Sequence, residues 1–89
     1  MSISLLRLMQ VLERRGRSRS QIYRDIQTGV MTPPVHVGSN ISVWPDHEVQ
    51  QINAAEIAGA TPDELRALVK QLVAQRAQMK PTIAVAQVA

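Results

Sequence analysis

Two helices separated by a one-residue linker cannot lie apart, and residues 16–21 predict such a junction. Gly16 is a helix stop, because glycine enters the left-handed backbone region at little cost. Ser18 followed by Gln21 is a capping box, in which the two side chains satisfy the free amides of a helix start. Only Arg17 lies between stop and start. Upstream, Leu5, Leu8, Met9 and Leu12 follow the i, i+3, i+4, i+7 spacing of an amphipathic helix, with Arg7, Gln10 and Arg14 opposite. Downstream, a helix from about Arg19 to Thr28 ends at Gly29. Helix, tight turn and second capped helix form a helix-turn-helix unit.

The rest of the chain builds on that unit. Pro33-Pro34 prevent the second helix from continuing. Val35 and Val37 alternate with His36, Ile41 and Val43 alternate with Ser42, and Gly38-Ser39-Asn40 is turn chemistry between them. This predicts a short β-hairpin, too small to be stable alone and so expected to lie on the helices as a wing. Pro45, with Asp46 and Glu48 in a first turn, predicts a third helix, continued by Val49, Ile52 and Ile57 and ended by Gly59. Asp46-His47-Glu48 also has the look of an acid–base cluster. Acids that complement a helix dipole are the stronger explanation, since no nucleophile or oxyanion-hole motif accompanies them. Thr61-Pro62-Asp63-Glu64 is a second capping box. It opens a helix to about Met79 whose stripe of Leu65, Leu68, Val69, Leu72 and Val73 either docks on the winged core or pairs with another copy, and Arg76 interrupts that stripe. Pro81 ends the helix, and the uncharged tail Thr82–Ala89 is expected to dock in cis or on a neighbouring subunit.

The expected architecture is α+β and mainly helical. A winged helix-turn-helix with a short β-hairpin wing occupies residues 1–58. An added C-terminal helix for packing or oligomerisation follows over residues 59–80, and an apolar tail over 81–89.

Charge placement says more than the net +3. The first 24 residues hold six arginines and one acid, Glu13, whereas residues 25–60 hold four acids and no Lys or Arg. A concentrated positive region steers a polyanion, and arginine suits bidentate contact with phosphate and guanine. On the second helix Ile22 and Ile26 share the buried face, so Ser20, Arg24 and Gln27 point outward, with Gln21 at one edge. Ser20, Gln21, Arg24 and Gln27 are therefore the expected base readers of double-stranded DNA in the major groove. Arg14, Arg15, Arg17, Arg19 and Tyr23 are the expected phosphate contacts. The wing tip has no cation, so contact there falls to hydrogen bonds from Ser39, Asn40 and backbone amides.

Other classes find little support. With no cysteine there is neither a disulfide framework nor a thiolate metal site, and His36 and His47 are too few and too far apart for zinc. No cofactor, metal or catalytic activity is expected. Trp44 and Tyr23 are the only aromatics, which argues against a single-strand binder built on stacking. No run is long enough to span a bilayer and no signal peptide is visible, so a cytoplasmic protein is expected. An adaptor whose basic patch binds an acidic protein remains the contrasting alternative.

Val11-Leu12, Gly16, Ser18-Arg19-Ser20, Ile22-Tyr23-Arg24, Gly29, Pro34-Val35, Val37-Gly38 and Trp44 before an acidic helix start resemble the AlpA-type phage regulators over about residues 6–55. These are small winged helix-turn-helix proteins related to excisionases and to the DNA-binding domains of MerR-type regulators. The resemblance implies a second helix in the major groove and a wing on the adjacent backbone or minor groove. Arg19, Ser20, Tyr23 and Arg24 match its recognition segment. It also implies a short strand at Leu6–Leu8 beside the wing, with the first helix starting nearer Met9, in competition with the helical spacing from Leu5. The function expected is that of an excisionase, or recombination directionality factor, of a mobile genetic element. Such a protein binds adjacent sites cooperatively, self-associates through its C-terminal helix and tail, and promotes excision by an integrase of the tyrosine recombinase type. The alternative is an AlpA-like transcriptional regulator with no direct role in recombination.

Overall fold

The computed structural model describes residues 4–79, and residue 16 ends its first helix as the sequence requires. The elements in order are β1 (Leu5–Leu6), α1 (Leu8–Arg15), α2 (Arg19–Thr28), β2 (Val35–Val37), β3 (Ile41–Pro45), α3 (Asp46–Ile57) and α4 (Pro62–Gln78). The fold is α+β, with four helices and a three-stranded antiparallel sheet in the order β1-β3-β2, as in a winged helix-turn-helix. The tail, for which docking was expected, lies outside the described residues.

The junction between α1 and α2 is built by the residues that predicted it. Gly16 adopts φ 65°, and the Arg17 amide donates back to the Leu12 carbonyl at 3.1 Å. Ser18 Oγ accepts from the Gln21 amide at 3.2 Å, and Gln21 Oε1 accepts from the Ser18 amide at 3.2 Å. On α2, Ile22 is fully buried and Ile26 packs partly against the core.

The helical spacing from Leu5 is corrected by strand pairing. Leu5 and Leu6 pair with Pro45 and Trp44 of β3, and the Asp46 amide donates to the Ser4 carbonyl at 2.8 Å. The first helix therefore starts at Leu8. Its buried stripe is Val11 and Arg15, flanked by Leu8 and Leu12, while Met9 is 68% exposed. Sheet register won over helical periodicity because β3 needs a partner on the side that β2 leaves open. The strand that the family resemblance implied is present, at Leu5–Leu6 where Leu6–Leu8 was expected.

The wing is anchored at its base by Trp44. Val35, His36 and Val37 pair with Val43, Ser42 and Ile41 around the turn at residues 38–40. Trp44 is fully buried, and its indole N–H donates to the Thr32 carbonyl at 3.0 Å. That bond satisfies the one polar atom of a large apolar side chain. It also ties the strand to the segment that leaves α2.

The stripe of α4 docks on its own core. Leu65, Val69 and Leu72 join Leu6, Val11, Ile22, Met31, Trp44, Val49 and Ile52 in a single cluster, so α4 and the winged unit share one core. Arg76, expected to interrupt the stripe, instead completes it. It lies at helical spacing after Leu72, and its guanidinium donates to both oxygens of Glu48 at 2.7 and 2.6 Å. Glu48 is fully buried, so its role extends beyond complementing the dipole of α3. Removing one member of a buried pair strands a charge in low dielectric. Glu48→Ala is expected to lower the unfolding free energy in urea melts by about 3–5 kcal/mol. Replacing both partners, as in Glu48→Met with Arg76→Leu, is expected to cost less than the single change.

Candidate nucleic-acid interface

Among the described residues, helix α2 presents an outward face with no protein against it. Ser20, Gln21, Arg24 and Gln27 are all exposed, and Arg19 and Tyr23 flank them in the open. Gln21 has its side-chain oxygen engaged in the cap, which leaves its amide N–H groups as donors. The helix is well terminated: Gly29 takes φ 85°, and the Thr28 hydroxyl donates to the Arg24 carbonyl at 3.1 Å. A capped, rigid helix with short polar side chains and free arginines on one face can approach phosphates and base edges closely.

The six N-terminal arginines divide into two groups. Arg14 pairs with Asp46 at 2.8 Å. Arg15 donates through Nη1 to Glu56 and to Asn53, both at 2.6 Å, with its side chain fully buried. Arg17 reaches Asp25 at 2.7 Å and Glu56 at 2.9 Å. Among the described residues, Arg7, Arg19 and Arg24 have no acidic partner. Arg15 is therefore corrected as a phosphate contact: a guanidinium enclosed by α1 and α3 cannot reach a duplex. Arg17 is held between two acids, and Arg14 keeps a half-exposed side chain beside one.

This division was legible in outline. A block of arginines with a single acid and a block of acids without Lys or Arg must meet when they fold into one small domain. What periodicity could not supply was the inward turn of Arg15, which follows from the shift of the buried α1 face onto Val11. The wing tip behaves as its composition implies. Ser39 and Asn40 are exposed, no Lys or Arg lies between Val35 and Pro45, and Ser42 Oγ lies 3.2 Å from His36 Nδ1 across the strands.

The shared carboxylate of Glu56 is the electrostatic centre behind this face. Burial disfavours its charge, but the hydrogen bonds and charges of Arg15 and Arg17 outweigh that and hold its pKa below the usual carboxylate range. Burial likewise opposes the charge on Arg17, yet Glu56 and then Asp25 raise its pKa further. A carboxylate depressed in the folded state stabilises fully above its unfolded pKa of about 4.3, and the contribution fades as pH falls through the lower folded value. Glu56→Gln is expected to destabilise by about 1–3 kcal/mol at neutral pH, because Arg15 then loses its counter-charge. In melts between neutral pH and pH 3, the gap between the two proteins should stay constant down to the carboxylate range and narrow below it.

Among the described residues no helix is long and apolar enough to cross a membrane. No curated protein and no solved structure matches the chain in the comparisons. The family model described as Prophage CP4-57 regulatory protein (AlpA) matches residues 4–57, from the first strand through α3. The match spans the helix-turn-helix, the wing and the acids that hold them, and covers more than half of the chain, so this protein belongs to the AlpA family of phage-type DNA-binding regulators.

Proposed function

We propose that the protein reads double-stranded DNA through the outward face of α2 and acts as an excisionase, promoting excision of a mobile element by an integrase of the tyrosine recombinase type. The observation that carries the DNA contact is the exposed face of Ser20, Arg24 and Gln27, with Arg19 and Arg24 free of acidic partners among the described residues. Arg24, Ser20, Gln21 and Gln27 are assigned to base edges. Arg19, Tyr23 and the half-exposed Arg14 are assigned to phosphates, Arg17 contributes its field from behind them, and Ser39 and Asn40 are the wing's hydrogen-bonding tip.

Cooperative occupancy of adjacent sites follows from information content. A single short recognition helix reads only about three or four base pairs. A specific site must stand out against about 10⁶–10⁹ competing positions in a genome. Several copies side by side supply what one copy lacks, and a run of bound copies also shapes the DNA between recombination sites. A second reading, transcriptional control without a direct part in recombination, is favoured by the regulatory description of the family.

Arg24→Ala is expected to weaken the preferred duplex by about 1–3 kcal/mol and to relax selection at one position. Arg19→Ala should weaken preferred and random duplexes alike and lower the salt slope by about 0.9. Gel shifts across a salt series separate the two, and an Arg24→Ala protein with unaltered binding would place the reading face elsewhere. For the biological role, purified integrase and attachment-site DNA form the test. Excision should require the protein, and excision at full rate without it would leave the transcriptional reading standing.

A further inference from the structure

The chain leaving α2 reaches the wing through Gly29–Thr32, and both carbonyls that flank this connector are held by α4. Arg66 Nε donates to the Thr28 carbonyl at 2.9 Å. Arg76 Nη2 donates to the Pro33 carbonyl at 2.8 Å. Ten residues of helix separate the two arginines, a rigid spacer of about 15 Å. Between the two contacts, Met31 and Thr32 are fully buried and the Trp44 indole holds the Thr32 carbonyl. The connector is thus fastened at its start, middle and end.

The chemistry at Thr28 is specific. The last carbonyls of a helix have no partner within the helix and carry the negative end of its dipole. No basic residue lies in the last turn of α2, so the guanidinium that answers both needs comes from α4. The stem of Arg66 also lies over Gly29, where an added Cβ would sit 3.5 Å from Arg66 Cγ. Asp63 holds Nη1 of the same guanidinium at 2.9 Å. All of α4 lies beyond residue 57, where the family match stops.

We infer that α4 sets the placement of α2 relative to the wing, and that Arg66 is a positioning residue for base reading, acting through the Thr28 carbonyl. This rests on the reading role proposed above for α2. Arg76 makes the matching contact, but its pairing with buried Glu48 makes any change there a change to the fold. Arg66 is half-exposed and can be altered without opening the core.

Arg66→Gln keeps an N–H donor where Nε stands and removes the charge. Arg66→Met keeps the stem and removes the donor. Each is compared with the unaltered protein and with Arg24→Ala, well below its melting midpoint. The probes are a duplex enriched by the unaltered protein from a randomised pool and a scrambled duplex. Arg66→Met should lose about three- to tenfold of the preference between the two, with an unchanged salt slope. Arg66→Gln should stay within about twofold of the unaltered protein. Full preference in Arg66→Met, with preference lost in Arg24→Ala, overturns the positioning role and leaves α2 as the reader. Arg66→Gln falling together with Arg66→Met, on a shallower salt slope, overturns it by making Arg66 a phosphate contact. An unaltered protein without salt-dependent duplex binding overturns this inference and the reading role together.

Discussion

Two carboxylates on α3 hold this structure together. Glu48 near the start of the helix receives Arg76 from α4, and Glu56 near its end receives Arg15 and Arg17 from α1 and the turn after it. Between them Val49 and Ile52 form the apolar centre of the same face. A domain this small buries too little apolar surface to be indifferent to how its helices meet. Its helices are joined at both ends of α3 by charge-assisted hydrogen bonds, which have direction where hydrophobic contact has none. Such pairs add little net stability against an apolar alternative, but they penalise any packing that leaves them apart.

The same pairs decide which cations remain at the surface. Five of the described basic side chains are committed to acids within the chain: Arg14, Arg15, Arg17, Arg66 and Arg76. What remains is Arg19 and Arg24 on α2, Arg7 at the start of α1 and Lys70 on α4. The basic character of the first 24 residues is thus partly structural cement and partly charge left at the surface. Among the described residues, α2 keeps its arginines free of acids and its polar face exposed. One arginine-rich segment thus supplies both exposed positive charge and ion pairs that fix the frame behind it.

Residues beyond the family match belong to that frame. Helix α4 places Leu65, Val69 and Leu72 in the common core and reaches the connector between α2 and the wing from two points. The polar backbone of that connector is answered by side chains from α4 and by Trp44. Such a segment, short and glycine-led, would otherwise be the natural place for α2 and the wing to drift apart.

Local rules determined much of the chain without help from the fold. The caps at Ser18 and Thr61, the stop at Gly16, the hairpin around Gly38 and the outward face of α2 are all interactions within a few residues, and each stands where the sequence put it. Tertiary structure decided what periodicity leaves open. Leu5 and Leu6 became a strand because β3 offered them a partner, and the buried face of α1 turned onto Val11 as a result. Arg15 went inward, Arg76 finished an apolar stripe instead of breaking it, and Leu65, Val69 and Leu72 of the α4 stripe joined the core of their own chain. Those outcomes depend on contacts distant in sequence, as with Arg76 and Glu48, 28 positions apart, or Arg15 and Glu56, 41 apart. A pattern read along the chain registers that such residues are charged or apolar, but which partner each one meets is settled only when the elements pack.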